Sequence, residues 1–225
     1  MHFLIDNQLK LIFGFSAKCG CSNVRRLFLS ITKEESILNL YNLKGHVYVG
    51  HSGLPKDISS FRIYIFIRNP YERICSGFFN KYNEKHYIRK FWKNEKELTF
   101  KNFVNTITVE GIGKQIETHH FTPQTTVCWE DRLLESQNVK FIDIKDIIKV
   151  KEDIYNELNK TIVSNKMNKK SKNYIANAYN IQIDELIKMS PDYKCLYNHE
   201  LKEKVYNFYK KDFEIFKKFG FDYDI

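Results

Sequence analysis

Residues 9–31, LKLIFGFSAKCGCSNVRRLFLSI, constrain the fold more tightly than any other stretch. Leu9, Leu11, Ile12, Phe13 and Phe15 form a short, nearly continuous apolar run, the pattern of a strand covered on both faces. Ser16 to Cys21 are small or polar and unsuited to a core, with Lys18 and Gly20 among them. Ser22 and Asn23 are favourable helix N-caps, and Val24, Leu27, Phe28 and Ile31 recur at helical spacing. A strand, tight loop and helix in succession aim free N–H groups and a partial positive charge at one place, and Lys18 adds a full charge there. Phosphate and sulfate groups bind such places. The loop lacks the GxxxxGK[ST] pattern of a Walker A motif. An ordinary βα turn with a solvated Lys18 would read the same, so other segments must decide.

The segment that bears on this most is Phe61–Ile67, FRIYIFI, a second buried strand with Arg68 at its carboxyl end. Asn69-Pro70 ends it, and Pro70 suits the first position of a helix running PYERICSGFFNKY. On a helical wheel Glu72, Arg73, Ser76 and Asn80 share one side, while Ile74, Phe78 and Tyr82 line another. Arg68 and Ser76 are therefore expected to converge on one anion. An arginine directly after a buried strand suits that task. Arg73 reads either as part of the anion site or as a structural charge with a carboxylate partner.

The remaining chain reads as alternating strands and helices. Val139–Ile144 predicts a further strand and Lys145–Leu158 a helix. Glu34–Leu43 predicts a short helix, and His46–Gly50 an extended segment leading to His51. Thr99 caps the helix FKNFVNTI. Residues 111–128 form a long irregular connection holding His119, His120, Pro123 and Gln124. Residues 165–173, NKMNKKSKN, are the most basic local stretch, a solvated loop or a lysine clamp. Asn198–Phe219 predicts one helix whose face of Leu201, Val205, Phe208, Tyr209, Phe213 and Phe216 packs in the core. With no repeat and no linker, residues 1–225 are expected to form a single α/β domain.

The net charge of +9 favours an anionic partner but does not choose among polymer, nucleic acid and phosphorylated small molecule. No apolar run reaches the ~18 residues of a membrane span. The N-terminus lacks the basic and small-residue features of a signal peptide. Five scattered cysteines (Cys19, Cys21, Cys75, Cys128, Cys195) argue against a disulfide scaffold, and their spacing does not suit zinc. A reducing, cytoplasmic setting is the expectation, or the Golgi lumen if the chain is part of a longer protein.

Two candidate anion sites on consecutive strand–helix units, without a Walker A loop, suggest a nucleotide with phosphates at both ends. The chain resembles the carbohydrate sulfotransferases of the chondroitin and heparan-sulfate type, which use 3′-phosphoadenylyl sulfate (PAPS). Lys18-Cys-Gly-Cys-Ser-Asn23 is similar to their 5′-phosphosulfate loop, and Ile67-Arg-Asn-Pro-Tyr-Glu-Arg-Ile-Cys-Ser-Gly77 to their 3′-phosphate motif. His120-Phe-Thr-Pro-Gln124, ending at Cys128, resembles an H-W-x-P-Q…C segment, and the tail from Val205 to Tyr223 resembles that branch's ending. Ala17 stands where the family usually has proline, and Phe121 where it has tryptophan.

This resemblance implies a P-loop-like three-layer α/β fold with a central parallel sheet flanked by helices. It implies transfer of a sulfuryl group from PAPS to a carbohydrate hydroxyl by in-line displacement, without a metal. Lys18, Gly20, Cys21, Ser22 and Asn23 would hold the 5′-phosphosulfate. Arg68 and Ser76, with Arg73 as a further motif member, would hold the 3′-phosphate, and Lys169 would clamp the nucleotide. Lys18 would also act catalytically on the leaving oxygen. A histidine is the natural base: His51 resembles that of the heparan-sulfate enzymes and is slightly favoured, and His120 matches that of the chondroitin branch. The acceptor would be a carbohydrate, an acidic polysaccharide fitting the charge best, and nucleic acid is not expected. The alternatives are a non-catalytic polyanion-binding module and a nucleotide or sugar kinase, for which the loop spacing is wrong.

Overall fold

A computed structural model describes residues 2–32, 53–83, 85, 87–92, 97–112, 116–125, 131–157 and 172–225. In chain order its main elements are β1 (His2–Asp6), β2 (Leu11–Phe15), α1 (Cys21–Thr32), β3 (Arg62–Ile67), α2 (Pro70–Lys81), α3 (Phe100–Val109), β4 (Val139–Asp143), α4 (Ile147–Glu157), α5 (His199–Phe208) and α6 (Lys210–Lys218). They fall into two compact units, Met1–Arg68 with Thr126–Lys166, and Asn69–Thr125 with Met167–Ile225.

The first unit holds the sheet, in the order β1-β2-β3-β4. β2, β3 and β4 run parallel, in registers that set Phe15 opposite Phe66 and Ile67 opposite Asp143. All three therefore end along one edge, where parallel sheets carry their sites. Every residue of β2 is buried, as its unbroken apolar run requires. Phe13, Tyr64 and Phe66 pack with Val24, Leu27, Phe28 and Ile31 of α1 and with Ile147, Val150 and Ile154 of α4. The mixed α/β class, with a mostly parallel sheet flanked by helices, is the one expected.

The sheet departs from that expectation at β1, which pairs antiparallel with β2. A tight turn makes this possible: the Asp6 carboxylate accepts from the N–H groups of Gln8 (3.0 Å) and Leu9 (2.8 Å), and Lys10 takes φ +50°. The segments Glu34–Leu43 and His46–Gly50 lie outside the described residues.

The second unit is helical around an aromatic core. Phe78, Phe103 and Phe121 are fully buried, with ring centroids 5.1 Å apart for Phe78–Phe103 and for Phe103–Phe121. The cap expected at Thr99 is in place, accepting from Asn102 N at 3.2 Å, and Pro70 takes the first helical position as expected; Asn69 before it accepts from Tyr71 N at 2.9 Å, and Asn198 from Leu201 N at 2.8 Å. The C-terminal segment is two helices and not one, broken at Tyr209 (φ −103°, ψ 21°). The break serves packing. Tyr209 is 1% exposed and its hydroxyl donates to the Phe121 carbonyl at 2.7 Å. A hydrogen bond to a distant carbonyl leaves no trace in helical periodicity.

Candidate functional site

The loop between β2 and α1 is built by two residues in left-handed conformation. Cys19 N–H donates to the Ser16 carbonyl at 3.2 Å, closing a turn whose third residue, Lys18, has φ +66°. Type II turns favour glycine at that place and proline just before it, where this chain has Ala17. A lysine there costs about 1–2 kcal/mol, a strain of the kind found where loops bind ligands. Gly20 has φ +72°, and a Cβ on it would stand 2.5 Å from the Ile144 side chain, so conformation and space both demand glycine.

Helix α1 starts at Cys21, earlier than the Ser22 and Asn23 caps predicted. The Gly20 carbonyl accepts from Asn23 N at 2.8 Å and Val24 N at 3.0 Å. Gly20 is thus the capping residue, and Cys21, Ser22 and Asn23 form the first turn. Ser22 is exposed there, and the Cys21 thiol donates to the Ser16 carbonyl at 3.5 Å.

Arg68 joins this loop from β3. Because Phe15 pairs with Phe66, the residue just past β3 lies beside the residues just past β2. Its Nη1 donates to the Lys18 carbonyl at 3.1 Å. The sequence paired Arg68 with Ser76; the bond observed ties it to the lysine loop. Ser76 is half-buried on α2 in the second unit.

Arg73 does not lie on the polar side of α2. It is 1% exposed, within the buried stripe of Tyr71, Ile74 and Phe78. Asp212, fully buried on α6, accepts from Gln124 N (2.8 Å), Thr125 N (2.9 Å) and Thr125 Oγ1 (2.6 Å). Burial pushes the Asp212 carboxyl up, while the Thr125 hydroxyl and the Arg73 charge oppose the shift. Of the two roles open to Arg73, its burial beside a carboxylate fits the structural one. That carboxylate is remote in sequence and could not be read from it.

These bonds fix the segment carrying His120. Thr118–Phe121 is one helical turn capped by Glu117, whose Oε1 accepts from His119 N (3.0 Å) and Oε2 from His120 N (2.9 Å). The same Oε2 lies 2.5 Å from His120 Nδ1. Burial works to raise the Glu117 carboxyl, but the His120 ring and the amides of His120 and His119 outweigh it and bring it down to about 2. His119 is held below the usual histidine range by burial and then by the neighbouring His120. After the turn, Phe121 seats against Gly77, where a Cβ would stand 2.4 Å from the ring.

Glu117 was not singled out in the sequence, although an acidic residue three before His120 is the spacing of a cap. His51 and Lys169 lie outside the described residues, as does Cys128. Among the described residues, no helix is long and apolar enough to cross a membrane.

The family model described as the sulfotransferase family matches residues 1–220. Neither the curated proteins nor the solved structures give a match.

Proposed function

The chain belongs to the sulfotransferase family, and on that premise we propose that it moves the sulfuryl group of PAPS to a hydroxyl of a carbohydrate. The observation that carries this reading is the lysine loop. Left-handed backbone at Lys18 and Gly20, the N-terminus of the 12-residue α1, and the bond from Arg68 make one cationic cradle at the carboxyl ends of the parallel strands β2 and β3. These residues fit a phosphosulfate. Lys18, the Cys21 and Ser22 amides and the Ser22 hydroxyl hold it, and Arg68 braces the loop while adding charge. Arg68 and Ser76 take the 3′-phosphate in this reading, as the motif they belong to implies, and residues 1–225 act as one catalytic domain.

PAPS supplies an activated sulfuryl group on a phosphate leaving group; the chain supplies position and charge. Of the two candidate bases, His51 lies outside the described residues, and in this reading His120 serves as the base. Its Nδ1 is engaged by Glu117, so Nε2 takes the proton of the acceptor hydroxyl as that oxygen bonds sulfur and the sulfur–oxygen bond to the phosphate breaks. Lys18 neutralises the charge that develops on the departing phosphate oxygen, a role worth several kcal/mol in a preorganised site. The net charge of +9 favours an acidic polysaccharide as acceptor.

The test is transfer of label from 35S-PAPS to a panel of desulfated and partly sulfated glycosaminoglycans. Label in polysaccharide, lost in Lys18→Ala, is the expected result. A folded protein that binds these polymers equally with and without Lys18 and transfers nothing would overturn the reading in favour of a polyanion-binding module.

A further inference from the structure

We propose that Glu117 is a positioning residue for His120, its carboxylate holding the ring through Nδ1 so that neutral His120 presents an unprotonated Nε2. This inference rests on the reading of His120 as the base.

Capping alone does not explain a carboxylate here. Neutral side chains serve as well as carboxylates in this chain: Asn69, Thr99, Asn198 and Gln182 cap helices, and Asp143 and Asp192 cap two short 3-10 turns by accepting from Lys145 N and Lys194 N, each at 2.9 Å. What Glu117 adds is the contact to the imidazole. In a neutral ring one nitrogen donates and the other accepts, and the bond made by the first fixes the tautomer. A carboxylate on Nδ1 selects Nδ1–H and leaves the Nε2 lone pair outward. It then stabilises the imidazolium formed when Nε2 accepts a proton.

The mount on which this pair sits is rigid on both sides. The Tyr82 hydroxyl bonds the Glu117 main chain, Tyr209 holds the Phe121 carbonyl, and Asp212 holds Gln124 and Thr125. Among the described residues, His119 also stands against the ring, edge-on with centroids 4.9 Å apart. Its own fall below the usual histidine range keeps it from competing for the carboxylate as a cation.

The tautomer is read by long-range 1H–15N correlation on 15N-labelled protein above neutral pH, with the His120 signals identified by their loss in His120→Ala. Wild type is expected to show Nδ1–H with Nε2 bare. Glu117→Gln keeps a carbonyl for the cap, as Gln182 does, but turns an NH2 toward the ring, so the expected shift is to Nε2–H. An Nε2–H tautomer in wild type, which needs no variant to detect, would overturn the proposal. So would an unchanged tautomer in folded Glu117→Gln. In the 35S-PAPS assay, Glu117→Gln is expected to lose about 100-fold or more in kcat with little change in KM for PAPS. If His120→Ala keeps full turnover, the base reading fails, and the positioning role with it. If His120→Ala is inactive and Glu117→Gln retains its kcat, the base reading stands and the positioning role alone fails.

Discussion

Lys18 carries two opposing consequences on one side chain. Its charge suits the anion, while its left-handed backbone is strained. Lys18→Gly is therefore expected to raise stability by roughly 0.5–1 kcal/mol and at the same time to remove donor binding. Urea unfolding and calorimetry on the same sample check the two signs. Glu117 gives a second test, through pH. Its carboxyl sits near 2 when folded, below the ordinary value of 4.5, so the protons it refuses are bound more tightly by the unfolded chain. The stabilisation is full above about pH 4.5 and fades as pH falls toward 2. Glu117→Gln should accordingly lower stability at pH 7 more than at pH 3, as measured by urea unfolding at both.

Among the elements, α2 does the most to connect sequence with site. Gly77 exists so that Phe121 can seat against its backbone. Gly77→Ala should gain up to ~1 kcal/mol of helix propensity and lose about 1–3 kcal/mol to overpacking. The expected net loss should come with shifted His120 resonances, since Phe121 is the next residue. Arg73 tests the division of labour within the same helix. Arg73→Met leaves the Asp212 carboxylate buried without that charge and should cost about 3–5 kcal/mol. Donor affinity in the folded fraction should survive, which a ligand-binding arginine would not permit. The pairing was out of reach of the sequence because a helical wheel ranks sides by polarity. It cannot know that a carboxylate on α6 waits in the core.

For the whole molecule, the legible part was what local chemistry dictates. The apolar runs around Phe13 and Ile65 announced parallel strands, and Pro70, Thr99 and Asn198 marked helix starts where helices start. Lys18, Gly20 and Arg68 could be singled out as candidates for an anion site, but the bond between Arg68 and the lysine loop depended on the β2–β3 register, a property of pairing and not of either segment. The antiparallel β1 went unread because its turn hangs on one aspartate, Asp6, and on a lysine in a conformation that sequence does not favour. The division of the C-terminal segment at Tyr209 went unread for a similar reason, a hydroxyl satisfied 88 residues away.

The proposed chemistry requires the lysine loop to be the seat of a doubly phosphorylated nucleotide. Calorimetric titration with adenosine 3′,5′-bisphosphate tests this most directly, run on wild type, Lys18→Ala and Arg68→Ala with 5′-AMP as the control. Saturable binding to wild type, lost in both variants and not reproduced by 5′-AMP, is the expected result. Absence of binding by folded wild type, or equal affinity in all three proteins, would contradict it.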